Sequence, residues 1–536
     1  MTKGRSAGPP RASRWLRRVV DPLDRLANRL YGAELNPLYQ SGTLAILFFL
    51  VSTVTGLYLF LFYKIASPYE SVLALERQVL LGPFAHSVHR LSADLAIVAT
   101  AVHVVRKLIQ GHTWGPRALA WLSGLFLLAI TLLCGWTGLV MVWDAQGQRL
   151  AIAGAKLMDL LPFLSLPLER AFDGSAPVPS SFFFMNLFLH VALPLGVASI
   201  VWVHLSRLSR PKLLPPRRLW ASALLLVAAV AAFAPAGLGA AADLRALPGR
   251  APLDLFYAFW LPAAEHFGPA ANATAWLGGF ALLALAPWLW RPRRPGDPIG
   301  TSSVDEGHCT GCTTCYLDCP YEAIAMVKRS DFSVQRSDLV ARVDPSRCVG
   351  CGICSASCAP MGVGPAGRTG RDQLAWVRDV AASSGRRELW VLACRTGIDP
   401  GLSLPDGVAL EGVNCGGAVH TAVIERLLRD SAAGVLVVTC PPRNCSFREG
   451  PKWAQARLFE GREADLSPRV DRRRVRLVGL AAGDTRGLLR EIAEFRAFLA
   501  TVEAQPAGDF DLMALCERAA DREVSEVGEM ADVARV

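Results

Sequence analysis

The sequence of 536 residues is short of charge in particular places: residues 42–63 and 118–143 contain no Asp, Glu, Lys or Arg. Uncharged runs of that length exclude a purely soluble chain, because about 20 helical residues cross a ~30 Å hydrocarbon layer. The first half also has almost no cysteine. Of the 14 cysteines, only Cys134 lies before residue 309. The N-terminus has no cleavable apolar core with a small-residue site, so the arm is expected to be retained. Without a secretory signal, clustered C-x-x-C cysteines point to metal in a reducing compartment rather than to disulfides. No nucleic-acid motif is present, and the net charge of +10 borders apolar runs instead of forming one stripe, which argues against nucleic-acid binding. No nucleotide-binding glycine loop occurs, so a nicotinamide reaction would have to take place on a partner.

Four apolar segments are long enough to cross a membrane: 42–63, 86–106, 118–143 and 181–204. Two weaker ones follow at about 219–240 and 272–290, giving about six spans. The apolar, aromatic stretch from Pro252 to Pro262 is expected at the outer interface. The arm at 1–41, the loops at 104–117 and 205–218, and the stretch at 291–298 hold 19 Lys and Arg, against 7 in the alternate loops. The positive-inside rule makes the first set cytoplasmic. In the arm, Trp15, Leu16, Val19, Val20, Leu23, Leu26 and Leu30 recur at helical spacing among arginines, as in an amphipathic helix on the inner membrane surface.

Four histidines stand out in this half. His89 and His103 are 14 residues apart on the second span, and His190 and His204 are 14 apart on the fourth. Fourteen residues return to nearly the same helix face and separate the rings by ~21 Å. Two such helices facing each other offer one pair of imidazoles near each membrane surface. Two imidazoles on one metal in hydrocarbon point to haem with both axial positions filled, which favours electron transfer over oxygen chemistry. The plainer alternative is four unrelated histidines bonded to neighbouring helices, but ionisable groups at this depth are functional by default. Gly42/Gly56 and Gly124/Gly138 repeat the spacing of 14 on the first and third spans. Glycine would let a flat macrocycle approach the backbone at both levels, whereas ordinary small-residue helix packing would not require that coincidence.

The stretches HSVHRLSADLAIVATAVHVVRK, GWTGLVMVWD and HVALP, with the paired glycines, make residues 36–210 resemble the cytochrome b of bc-type quinol-oxidising complexes. The resemblance implies two b-haems, one held by His89 with His190 on the outer side and one by His103 with His204 on the inner side. The chain is expected in the inner membrane of a prokaryote, with its iron–sulfur domains on the cytoplasmic side. Arg90 and Arg106 fall where that family places arginines near haem propionates; interfacial snorkelling is the alternative. Two departures bear on the outer quinol site. Val142 precedes Trp143 where the family has proline, and PLDLFYAFW stands near the family's Pro-Glu-Trp-Tyr motif, leaving Asp254 as its acidic group.

After a basic Pro/Gly-rich linker at 291–300, Cys309, Cys312, Cys315 and Cys319 form a C-x-x-C-x-x-C-x-x-x-C run, and Cys348, Cys351, Cys354 and Cys358 repeat it. This is the bacterial ferredoxin spacing, in which the fourth cysteine of each run serves the other cluster. Residues 300–362 are therefore expected to carry two 4Fe–4S clusters, with two structural zinc sites the weaker alternative. Beyond them, LWVLA, VALEGV, GVLVVT and RVRLVGLA read as strands and 418–432 as an amphipathic helix, which implies a parallel α/β sheet. Cys394, Cys415 and Cys440 fall at or near carboxyl ends of strands, where such sheets bind ligands, and Cys445 follows. Four converging thiolates suit a 2Fe–2S cluster; ordinary buried or redox-active thiols are the alternative.

NCGGAVHTAVIERLLRDSAAGVLVVTC and CPPRNCSFREG make residues 388–484 resemble the delta subunit of methyl-viologen-reducing hydrogenase, which implies electron exchange with a heterodisulfide-reductase-type flavoprotein. The family's first C-x-x-C is reduced here to Cys394. Cys134 and Cys516 are assigned to packing.

The sequence thus reads as a multidomain chain. A basic arm (1–41) leads into an α-helical transmembrane di-haem bundle (42–210) and two further spans (211–290). An α+β ferredoxin domain (300–362), a small parallel α/β iron–sulfur domain (388–500) and an acidic tail (506–536) follow. Two functions fit. One is an oxidoreductase subunit moving electrons between a quinone pool and a soluble flavoprotein, in the order haems, ferredoxin clusters, 2Fe–2S domain, partner. The other is a haem-bearing anchor that docks a soluble reductase or hydrogenase without quinone chemistry of its own.

Overall fold

The computed structural model describes residues 11–78, 81–162, 167–206, 210–245, 254–289, 300–329, 337–384, 387–394 and 402–504. The linker at 291–299, the residues after Cys394 and the acidic tail with Cys516 lie outside them. The uncharged stretches become long helices because every backbone polar group in hydrocarbon must be bonded within its own segment. Helix α1 (Arg11–Leu35) leads into α2 (Ser41–Phe60), a short α3 (Pro68–Glu76), then α4 (Leu81–Ile109), α5 (Ala118–Val142), α6 (Ala145–Met158) and α7 (Ser180–Ser206). Four helical segments, at 41–60, 81–109, 115–142 and 180–206, are long and apolar enough to cross a membrane, with mean hydropathies of 2.1, 1.4, 2.3 and 1.9. The second value is lowest because α4 carries histidines and arginines. Phe126, Leu133, Phe184 and Phe188 turn outward and are exposed, as a lipid-facing surface requires.

The fifth and sixth expected spans are α8 (Arg217–Phe233) and α10 (Pro269–Ala284), with a short α9 (Leu261–Phe267) before α10 and α11 (Ala286–Leu289) after it. At 17 and 16 residues, α8 and α10 stand at the lower edge of the ~17–25 residues with which a helix crosses a bilayer. The cause is visible in the sequence: Pro235 follows the end of α8 at Phe233, and Gly268-Pro269 opens α10. Val227 and Ala231 of α8 are buried in one apolar cluster with Ala96 and Ala99 of α4. In α1, Val19, Leu23, Leu26 and Leu30 point away from the protein, while Asp24 on the opposite face is buried against Arg106.

The cysteine-rich half has two parts. In the first, β1 (Ser302–Val304) pairs antiparallel with β4 (Val363–Pro365), and β2 (Ile324–Lys328) pairs antiparallel with β3 (Leu339–Val343). The short helices α12 (Thr314–Asp318) and α13 (Ile353–Ala356) lie within the two cysteine runs. The second part is a four-stranded parallel sheet of β5 (Arg387–Cys394), β6 (Val408–Val413), β7 (Ala432–Thr439) and β8 (Val475–Gly479), in the order β6-β5-β7-β8. Parallel sheets are covered on both faces. Here α14 (Gly370–Ser384), α15 (Thr421–Asp430) and α16 (Gly450–Phe459) contribute to one core, and α17 (Thr485–Ala504) to the other. The expected helix at 418–432 is shorter because His420 caps it, its Nδ1 accepting the Ala422 N–H at 3.1 Å.

Candidate metal and cofactor centre

Helices α2 and α4 pack as one pair and α5 and α7 as another, and each pair carries glycines against histidines. A Cβ built on Gly42 would lie 2.7 Å from the His103 ring, and on Gly56 3.0 Å from His89. On Gly124 it would lie 3.3 Å from His204, and on Gly138 2.8 Å from His190. The glycines therefore make room for the imidazoles themselves, not for a macrocycle alone as the spacing had implied. That closeness lets backbone and hydroxyl groups hold the rings. His89 Nδ1 donates to the Ser52 carbonyl at 2.8 Å, and His190 Nδ1 donates to the Cys134 carbonyl at 2.9 Å. His204 Nδ1 lies 2.9 Å from Ser123 Oγ. With Nδ1 committed in this way, Nε2 is the nitrogen left to bind a metal. Cys134, assigned from the sequence to packing, is thus also a positioning residue through its carbonyl.

The His89 and His190 ring centroids are 6.2 Å apart. A metal bound by two imidazoles at ~2.0–2.1 Å, with about 1.1 Å from nitrogen to ring centre, requires roughly 6.2–6.4 Å. His103 and His204 line the same cleft one level along the bundle. All four histidines and all four glycines line one continuous cleft of about 2350 Å³, more than twice the upper size of an ordinary ligand pocket at ~1,000 Å³. The residues present fit two large planar ligands stacked along the bundle.

The two arginines are engaged differently. Arg90 pairs with Asp94 at 3.3 Å and with Asp254. Asp254 Oδ1 also accepts the N–H groups of Phe256 at 3.0 Å, Tyr257 at 2.5 Å and Ala258 at 3.1 Å. Asp254 is therefore fixed as a backbone cap and ion-pair partner. Arg106 is buried and does not snorkel. It pairs with Asp24 at 2.5 Å, stacks on Tyr39 at 4.7 Å and donates to Asn444 Oδ1 at 2.6 Å. Asn444 is the residue before Cys445.

Cys309, Cys312, Cys315 and Cys358 line one small cavity. Cys319 lies among Cys348, Cys351 and Cys354 instead. The fourth cysteine of each run has crossed to the other site, as the ferredoxin spacing requires. Burial pushes the thiols of Cys315 and Cys351 up to about 12, so bound iron must displace their protons. In the parallel domain, the side chains of Cys394, Cys415, Cys440 and Cys445 converge, and a Cβ on Gly450 would lie 2.5 Å from Cys415 Sγ. Among the described residues no group of three His, Cys, Asp or Glu is drawn tightly enough to hold a single ion, a closeness that a cluster of several irons does not demand.

Residues without a sequence signal join these sites. Arg457, fully buried, pairs with Asp318 at 3.4 Å and donates to Ser357 Oγ at 3.0 Å and to the Gly417 carbonyl. It thereby ties the residues beside Cys319 and Cys358 to the loop after Cys415. His420 Nε2 lies 3.2 Å from the Cys358 carbonyl. Both cysteine domains sit on the end of the bundle that carries His103 and His204. The contacts there are Gln110 to Asn444 at 2.6 Å, His112 to the Ser446 carbonyl at 2.9 Å, Arg117 to the same carbonyl at 3.1 Å and Arg210 to the Leu317 carbonyl at 2.9 Å.

These features define a membrane electron-transfer subunit: a helical bundle with paired intramembrane histidines, carrying cysteine-rich redox domains on one end. Comparison with known proteins agrees. Cytochrome b/b6/petB matches residues 26–211, a 4Fe-4S dicluster domain matches 308–362, and methyl-viologen-reducing hydrogenase, delta subunit, matches 393–502. Cytochrome b6 of Heliobacterium mobile is 31% identical over 32% of this chain and 81% of its own length. Cytochrome b6 of Heliobacterium modesticaldum is 26% identical over 37% of this chain and 99% of its own. A chain of a solved hyperthermophilic respiratory Complex III aligns with a TM-score of 0.39 and 18% identity, over 47% of this chain and 75% of that one. The chain belongs to the cytochrome b/b6 family, here fused to a dicluster ferredoxin domain and a hydrogenase delta-subunit domain. Membership implies haem b, and the dicluster domain implies iron–sulfur clusters.

Proposed function

We propose that the chain carries electrons between a membrane quinone pool and a soluble flavoprotein of the heterodisulfide-reductase type. His89 with His190 and His103 with His204 would each hold a b-haem. Cys309, Cys312, Cys315 and Cys358 would hold one 4Fe–4S cluster, and Cys348, Cys351, Cys354 and Cys319 a second. Cys394, Cys415, Cys440 and Cys445 would hold a 2Fe–2S cluster. When bound, these groups exchange single electrons at potentials tuned by ligand, burial and hydrogen bonding. The protein's own part is to fix the His89, His190 and His204 imidazoles through Nδ1, exclude water with apolar helix faces and hold the redox domains against the bundle. The basic loops on the docked end support a cytoplasmic location for that end and for the cysteine domains, in a prokaryotic cell.

The observation that carries this reading is the single cleft shared by all four histidines and Cys445. A haem-bearing anchor needs no cleft running from the intramembrane histidines to a redox cysteine. The anchor reading draws support from the outer end, where Asp254 is tied to Arg90 and to backbone N–H groups. The two are separated by adding a short-chain quinol to the purified chain in lipid nanodiscs. The conduit reduces its haems and then its clusters; an anchor leaves both oxidised.

A further inference from the structure

The order of the sites along the chain puts the ferredoxin domain next to the membrane and the four-cysteine domain outermost, nearest the soluble partner. The fold places them otherwise. The segment 440–446, which carries Cys440 and Cys445, is gripped by Arg106, Gln110, His112 and Arg117 at the inner end of the bundle. Arg106 lies one helical turn after His103, and Asn444, its partner, directly precedes Cys445. Cys445 lines the cleft that contains the four histidines, and no cysteine of the ferredoxin domain does, among the described residues.

The other face of the four-cysteine site meets the ferredoxin domain. Cys415 shares a buried apolar cluster with Cys351, Ile353 and Trp453, and Asn414 Nδ2 donates to the Cys351 carbonyl at 3.2 Å. Beyond that, Cys354 and Cys319 share a core with Cys315 and Cys358. The last site reaches solvent, since Cys312 is exposed. The physical sequence is thus the Cys312 site, the Cys351 site, the Cys445 site, His103 with His204, and His89 with His190.

We infer that the four-cysteine site is the junction between the ferredoxin domain and the inner histidine pair, and that the soluble partner exchanges electrons at the exposed Cys312 end. The inference rests on the conduit reading and adds its order. Each transfer moves one electron and breaks no bond. A reduced flavin of the partner supplies the electron, and quinone in the membrane accepts it. Asn444 acts as a positioning residue, accepting hydrogen bonds from Arg106 and Gln110 that hold the Cys445 loop in the cleft.

The test uses the full chain in nanodiscs with photoreduced flavodoxin as a one-electron flavoprotein donor. Cluster signals are read by electron paramagnetic resonance and haems by their visible bands. In the double variant Cys440→Ser, Cys445→Ser, the ferredoxin-type signals should still appear on reduction while the haems stay oxidised, although dithionite reduces them. If the ferredoxin signals are lost along with haem reduction, the four-cysteine site is the entry point and the order is wrong. If the haems are reduced at the wild-type rate, the site lies off the route and the inference also falls. Asn444→Leu keeps every cysteine and guards against misfolding. Its cluster signals should be unchanged and its haem reduction slowed by roughly tenfold, the usual effect of losing a charged hydrogen bond; an unchanged rate overturns the positioning role. Failure of the conduit reading itself looks different, since the wild-type haems would then stay oxidised with flavodoxin and with quinol alike.

Discussion

Adding one methyl group to each of the four bundle glycines should have four unequal effects. An Ala Cβ meets the His103 ring at 2.7 Å in Gly42→Ala and the His204 ring at 3.3 Å in Gly124→Ala, although both belong to the inner pair. To regain an ordinary contact of 3.4 Å, the first imidazole must give up about 0.7 Å and the second about 0.1 Å in a close-packed interior that yields little. An imidazole pushed aside in this way tilts Nε2 off the metal. Overpacking of this kind typically costs ~1–3 kcal/mol, or roughly tenfold or more in haem retention at 1.4 kcal/mol per tenfold. Gly42→Ala should therefore deplete or shift the inner haem, and Gly124→Ala should leave it nearly unchanged. On the outer pair, the 2.8 Å contact at Gly138 against 3.0 Å at Gly56 makes Gly138→Ala the more damaging. The assay is haem content with a redox titration of each visible band in purified membranes. Equal losses from Gly42→Ala and Gly124→Ala would mean that the glycines clear a macrocycle evenly, and the contact argument would be wrong.

Replacing either inner ligand, His103→Ala or His204→Ala, should abolish one low-spin haem spectrum and largely spare the other; wild-type membranes titrating as a single haem would contradict the paired assignment. Iron analysis should find about ten cluster irons and two haem irons per chain, following the cysteine and histidine sets, and zinc in place of cluster iron would remove the ferredoxin reading. Docking of the four-cysteine loop should weaken in acid. Burial, with Arg117 and Lys107 nearby, holds His112 well below the ordinary 6.5, so the docked state binds fewer protons than the undocked one. Docking is then fully supported above pH ~6.5 and declines as pH falls, by at most ~1.4 kcal/mol per pH unit. Amide protection at 443–446, corrected for the intrinsic pH dependence of exchange, should fall between pH 7.5 and 5.5, and His112→Ala should remove that dependence; an unchanged slope in the variant assigns the effect to another group.

Features that depend on local spacing could be read before any fold was known. Two histidines 14 residues apart share a helix face whatever surrounds them, and the same holds for the glycines, because helix periodicity is a property of the backbone alone. The ferredoxin runs and the strand ends bearing Cys394 and Cys440 were legible for a similar reason: short motifs and alternating strands and helices carry their geometry with them. What required the fold joins residues far apart in the chain. Arg106 reads as a propionate or snorkelling residue until Asn444, 338 positions away, is seen to meet it. Asp318 reads as one more acidic residue until Arg457 buries it. The carbonyl of Cys134 has no side-chain signature, so its hold on His190 could not be foreseen. The order of the redox sites belongs to the same class, because chain order fixes which domain comes next in sequence, while the packing of 440–446 on the bundle decides which one comes next in space.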